Sequence, residues 1–305
     1  MFKKICGFAS VAAICVATSA YAQNTTDPNL IKAGFIEETG ASERINFSGK
    51  LRMLSQRIPG TACYAHAKVE TEASNAMLQA AMNEFDLILN GLEVGEDSLG
   101  IIGPEQDRKV LIGLSKLSEQ WDPLHPEIID IQANGGTDED VQHLAQASHE
   151  ILRIAKLLVS AIVAEHSDPT AVLQADAMTI DIAGRQRMLA QRISKNACLL
   201  MTGLAGDEAQ KEMAGARQIY DASANALRFG MPDAGIHATK NPEIQARLDQ
   251  VLALWADVQP ILDSVAAGEA ISDDNKAYLY NSMNSLTGQM NTIVGMYTEE
   301  SKLGL

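Results

Sequence analysis

Two stretches of this chain share one pattern about 135 residues apart, and that duplication limits the fold more than any other feature. The first is Ile45-Asn46-Phe47-Ser48-Gly49-Lys50-Leu51-Arg52-Met53-Leu54-Ser55-Gln56-Arg57-Ile58. The second is Ile180-Asp181-Ile182-Ala183-Gly184-Arg185-Gln186-Arg187-Met188-Leu189-Ala190-Gln191-Arg192-Ile193. The register holds further on, where Cys63 matches Cys198, Phe85 matches Tyr220, Asn90 matches Asn225 and Gly95 matches Gly230. One unit was duplicated, and two copies of a unit can face each other across a pseudo-twofold axis.

The unit reads as all-helical. It is poor in aromatic and β-branched runs and rich in Ala, Leu, Met, Gln and Glu. Expected helices in the first copy cover 28–70, 72–93, 105–133 and 138–166. In the second copy they cover 169–203, 207–229, 241–267 and 273–302. The breaks fall at Gly95 to Pro104, Gly135-Gly136, Gly203 to Asp207, Gly230 to Pro242 and Gly268 to Ser272. Asp27-Pro28 and Asp168-Pro169 read as helix starts, with Asp as cap and Pro in the first turn. Thr137 with Asp140 resembles a capping box. Trp121 and Trp255 take matching places on the third helices, spaced with Leu114 and Leu117 and with Leu248 and Val251, as core residues would be. Four helices with short connections in each copy predict two tandem four-helix up-down bundles, over 23–167 and 168–305.

Residues 1–22 carry the marks of a secretory signal peptide. Lys3 and Lys4 precede a short apolar run, and Ala20-Tyr21-Ala22 is a small-x-small cleavage site. No lipobox precedes Cys15, and no later apolar run is long enough to span a membrane. The expectation is an exported, periplasmic product that is not membrane-spanning after cleavage. The chain carries a formal charge of −15, and losing residues 1–22 removes two lysines and no acids. That balance argues against nucleic acid and anionic membrane surfaces as partners. It also sets off Arg44, Lys50, Arg52, Arg57, Arg185, Arg187, Arg192 and Lys195, eight of the 24 basic residues in two short windows.

On a helix at ~100° per residue, Gly184, Arg187, Gln191 and Cys198 share a ~60° sector, as do Gly49, Arg52, Gln56 and Cys63. Ile182, Leu189, Ile193 and Leu200 fall on another side, matched by Phe47, Leu54, Ile58 and Ala62. A mid-helix glycine costs ~1 kcal/mol relative to alanine, so its repetition points to close backbone approach or an opening for a small ligand. If Arg52 and Arg187 converge, two guanidiniums ~6 Å apart repel by ~3 kcal/mol at an effective dielectric of 20. One small oxyanion between them removes that repulsion and accepts charge-assisted hydrogen bonds. The alternative is that the arginines pair with the chain's many acids, and for Arg57, Arg185 and Arg192 that reading is preferred. Cys63 and Cys198 lie 11 residues beyond their arginines, ~16 Å along each helix. Their placement predicts a disulfide that staples the copies; the alternative is two buried free thiols. Pro59-Gly60 should kink the first helix of copy one, whereas Ser194-Lys195 leaves copy two straighter.

The repeated Gly-x-x-Arg-Met-x-x-x-Arg pattern, Gly49 to Arg57 and Gly184 to Arg192, resembles a sensor family. It is similar to the N-terminal sensing domain of type IV pilus methyl-accepting chemotaxis transducers and to the periplasmic domain of nitrate/nitrite sensor kinases. The resemblance covers both copies, with its specificity in the two motif windows. In the nitrate sensors a four-helix bundle dimerises and one nitrate sits on the axis between the first helices. The resemblance implies a fused version of that dimer, with Gly49, Arg52, Gly184 and Arg187 as ligand-binding residues and Gln56 and Gln191 as secondary ones. Lys50 and Arg185 differ, so the fused site would be asymmetric. No transmembrane helix, HAMP-like linker, kinase or methyl-accepting region is recognisable, so signalling would need a membrane receptor or sensor kinase as partner.

Two functions follow: binding of a small oxyanion, nitrate or nitrite preferred, or docking on a chemoreceptor, histidine kinase or pilus-linked receptor without a ligand. Arginine-rich faces suit the second as well. No catalytic residues, metal ligands or cofactor are expected. His66, His125, His143, His149, His166 and His237 form no metal-ligand spacing, and no GxSxG, P-loop or dinucleotide fingerprint is present. His143 and His149 read as solvated or capping residues. Asp138-Glu139-Asp140 lacks the EF-hand pattern and suits a helix N-terminus.

Overall fold

The computed structural model describes residues 40–166 and 174–303, all within one compact unit, Thr39–Leu305. Among these residues the secondary structure is helical, without strands, and forms tandem helical bundles. The first bundle comprises α1 (Ala41–His66), α2 (Thr71–Val94), α3 (Arg108–Trp121), α4 (His125–Asn134) and α5 (Asp138–His166). The second comprises α6 (Gln174–Met201), α7 (Asp207–Phe229), α8 (Pro242–Ala266) and α9 (Asp273–Leu303). The signal-peptide reading and the starts at Asp27-Pro28 and Asp168-Pro169 fall outside the described residues.

Local chemistry sets the ends of these rods. Thr137 and Asp140 form the reciprocal box that starts α5: the Thr137 N–H donates to Asp140 at 2.7 Å and the Asp140 N–H to Thr137 Oγ1 at 3.2 Å. Asp107 caps α3 and Asn241 caps α8, each accepting from two backbone N–H groups. Two expectations need correction. The first helix does not extend back to residue 28 in one piece, because Gly40 sits at φ 68° and α1 starts after it. The third helix of copy one is not continuous: the backbone tightens at Asp122–Leu124, where Pro123 and then Pro126 remove helix donors, and resumes as α4. The helix α1 continues through Pro59.

The duplication is visible in the packing. Trp121 and Trp255 are buried and each donates its indole N–H to an aspartate on the second helix of its bundle, Asp86 at 2.6 Å and Asp221 at 3.3 Å. Each ring also stacks on the matched aromatic, Phe85 or Tyr220. The loops that follow α2 and α7 each close with one antiparallel bridge, Glu96 with Ile101 and Met231 with Ile236.

The bundles meet along α1 and α6, which pack side by side. The two run parallel: near their starts Arg52 reaches Asp181 and Arg187 reaches Asn46, and near their ends Cys63 is bonded to Cys198. The Cα atoms of that disulfide are 6.2 Å apart. Between these points the backbones come close at Gly60, where a Cβ would lie 3.1 Å from Lys195 Cα. Because α1 also packs on α2 and α5, it is buried on every side, including the unbroken run Leu51 to Gln56. The two-stripe helix expected from spacing is therefore a central rod, and its polar residues face neighbouring helices rather than water.

Candidate functional site

The α1–α6 pairing brings Gly49, Arg52, Gly184 and Arg187 together. A Cβ on Gly49 would stand 3.4 Å from Arg52 Nη2 and 3.7 Å from Arg187 Nη2, so both guanidiniums lie over this glycine. A Cβ on Gly184 would meet Arg187 alone, at 3.5 Å. The convergence is thus displaced from the pseudo-axis toward α1. Glycine at 49 leaves the space into which both side chains fold.

Each arginine reaches across to the partner copy. Arg187 donates to Asn46 Oδ1 at 3.3 Å from both Nη atoms, to Asn291 Oδ1 on α9 at 2.7 Å, and to its own turn at Gly184 O. Arg52 donates from Nη2 to Asp181 Oδ1 at 3.4 Å, and its Nε is buried without a hydrogen-bond partner. Asn46 and Asp181 are the same position of the duplicated unit. The two halves therefore make one reciprocal contact with different chemistry, an amide in one and a carboxylate in the other. Arg185 holds Asp181 in place through its second oxygen, 2.6 Å away.

The electrostatics favour an anion. Burial pushes the Arg187 guanidinium down to about 10, with Arg52 as the next cause. Burial also lowers Arg52, an effect that Asp181 opposes and Arg185 reinforces. Of these acceptors, only Asp181 carries charge. Lys156 on α5 is lowered by burial and by Arg192, Arg52 and Arg185, which places a further cation nearby. Planar guanidiniums with spare donors suit a planar oxyanion better than a lysine ammonium would.

Other residues of the motif serve the scaffold. Gln56 and Gln191 are buried one turn further along, with amide N–H groups on the last helix of their own bundle: Ser148 O for Gln56, Asn284 and Thr287 for Gln191. Arg44 is buried, donates to Leu92 O and Gly103 O and pairs with Glu105, which also holds His166. It pins the α2–α3 loop. Arg192 pairs with Glu212 at 2.6 Å and Lys50 with Glu84 at 2.7 Å. His143 is exposed beside Glu127, as its solvated reading requires, whereas His149 is half-buried, 3.7 Å from Glu212. Asn46, Asp181 and Asn291 were not singled out from sequence. The first two stand at matching places of the repeated windows, one residue after Ile45 and Ile180; Asn291 carries no sequence signal.

Among the described residues there is no cluster of histidine, cysteine and acidic side chains able to hold a metal, and no helix long and apolar enough to cross a membrane. Residues 37–147, and again 170–281, match the type IV pili methyl-accepting chemotaxis transducer N-terminal family. The chain belongs to that family. It is also 32% identical over 118 residues to the methyl-accepting chemotaxis protein McpN of Pseudomonas aeruginosa. That match covers 39% of this chain and 21% of McpN, so the chain spans about a fifth of the relative's length. The family is one of chemotaxis sensing modules rather than enzymes. In this chain the family's domain occurs twice, and the paired arginines lie where the two copies meet.

Proposed function

We propose that this chain is an exported, periplasmic sensing module of a chemotaxis or type IV pilus signalling system that binds one small oxyanion, nitrate or nitrite preferred. The observation that carries this reading is the convergence of Arg52 and Arg187 over Gly49. Two buried guanidiniums that repel each other, one with an unpartnered Nε, gain from a shared anion. Gly49, Arg52 and Arg187 would hold the ligand, with Gly184 shaping the second side. The occupied site would draw α1 and α6 together, and a membrane receptor or sensor kinase would read that change. The resemblance to a chemotaxis protein supports such a partner.

A second reading has one observation of its own. Asp181 already gives Arg52 a counter-charge, so the face could serve for docking alone. Thermal unfolding separates the two. The protein is melted in anion-free buffer and then with nitrate, nitrite, sulfate or chloride at matched ionic strength. A ligand at 100 times its Kd adds ~2.7 kcal/mol, a rise of a few degrees for a unit of this size. A rise specific to nitrate or nitrite, lost when Arg52→Ala and Arg187→Ala are combined, is expected. No selective rise would leave the docking module as the better account.

A further inference from the structure

A cavity of about 180 Å³ opens between α5, α6 and α7, away from the paired arginines. Its inner end holds Lys195, which is fully buried. The ammonium of Lys195 donates to Ser148 Oγ at 3.1 Å and pairs by charge with Glu212. Glu212 is further, at 3.7 Å, and its carboxylate is already taken by Arg192 at 2.6 Å and by Asn196 at 3.2 Å. An ammonium carries three donors, so Lys195 keeps capacity to spare at the floor of the cavity. Leu199 and Leu204 give the walls an apolar stretch, and the exposed Glu208 lines the opposite side, its charge felt by Lys195 and His149.

The lysine exists in one copy only. Position 195 corresponds to position 60, where the first copy has glycine, and Gly60 is what lets the Lys195 backbone pass at contact distance. A lysine kept for packing would not need a cavity beside it, and burying an ammonium whose one nearby carboxylate is shared with Arg192 is costly.

We propose that this cavity is a second binding site, for a small zwitterion of the amino-acid type, with its carboxylate on Lys195 and its ammonium toward Glu208. The charge pattern selects that class. A free anion meets Lys195 but also Glu212 and Glu208; a free cation meets the acids but also Lys195 and Arg192. A molecule with its negative end inward and its positive end outward matches both. The volume limits it to roughly six to eight non-hydrogen atoms, since a 150 Å³ cavity takes benzene.

The test is calorimetric titration of the full chain with glycine, L-alanine, β-alanine and L-serine, beside acetate and methylammonium at matched ionic strength. At least one amino acid should bind saturably and shift the ring resonances of His149, which lines the cavity. Lys195→Met should weaken that binding at least about tenfold and Glu208→Gln about tenfold, while acetate and methylammonium stay inert. If Lys195→Met does not fold, the exposed Glu208→Gln and the His149 signal decide. The proposal is overturned if no amino acid binds with a Kd below about 10 mM. It is also overturned if acetate binds as well as alanine, or if Glu208→Gln leaves affinity and the His149 shift unchanged.

Discussion

Asp181→Asn would give both copies the same residue beside the arginines, because Asn46 holds the matching position. The Asp181 carboxylate now takes Arg52 at 3.4 Å and Arg185 at 2.6 Å. A unit-charge pair at about 4 Å is worth ~4 kcal/mol at an effective dielectric of 20 and ~1 kcal/mol in bulk water. The Asp181 side chain is 38% exposed, so screening brings the loss to about 1–2 kcal/mol. Arg52 and Arg187, which both reach the same point over Gly49, repel by ~2–3 kcal/mol at an effective dielectric of 20, and the carboxylate offsets part of that. The variant should therefore melt a few degrees lower than the natural chain in anion-free buffer. An added oxyanion then replaces the lost charge and recovers the same ~1–2 kcal/mol, so its affinity rises about five- to thirty-fold. Differential scanning calorimetry with and without nitrate, with titration of both proteins, measures the two effects together. A variant that melts with the natural chain and binds nitrate no more tightly would refute the competition between Asp181 and the anion.

Further outcomes follow from the same geometry. Gly49→Ala places its methyl group against two flexible arginine ends, so stability should hold within ~1 kcal/mol while the anion response is lost; Gly60→Ala presses on Lys195 backbone and should cost about 1–3 kcal/mol in urea unfolding. Asp86→Ala strips the acceptor from the buried Trp121 indole N–H and should cost about 1–3 kcal/mol, read from the same curves. Replacing Cys63 and Cys198 by alanine opens a 135-residue loop and should lower stability by about 3–5 kcal/mol by calorimetry. Glu212 has its carboxyl held down at about 2, although burial works against this; the Arg192 hydrogen bond and the charge of Lys195 prevail. Between its usual value and about pH 2 the unfolded chain binds the proton and the folded chain does not, so stability falls as pH falls through that window; Glu212→Gln should flatten this limb of the pH–stability curve.

Much of the fold was legible because it rests on short-range rules. The Thr137–Asp140 box, the glycine breaks and the tryptophan spacing each depend on residues a few positions apart. The errors were local too. Gly40 and the Pro123 and Pro126 pair lie in windows whose apolar rhythm continues across them, and backbone sterics override that rhythm. The candidate site was legible in half. Repetition picked out Gly49, Arg52, Gly184 and Arg187, but not the groups they touch. Asp181 reads as one more acid in an acidic chain until its counterpart Asn46 is set against it, and Asn291 comes from a helix 104 residues away from Arg187.

The amino-acid order alone established two copies of one helical unit, most of the breaks between its rods, and a Gly–Arg pattern on the first helix of each copy. Tertiary structure alone decided that α1 and α6 lie parallel in contact, that both arginines lean over Gly49, and that Lys195 passes Gly60 beside a cavity. The physical reason is one of range. Periodicity and capping fix a helix along its own axis, whereas the rotation and axial offset between two helices come from how dozens of side chains interlock at once. Those two quantities, and not the residues alone, place a charge beside its partner.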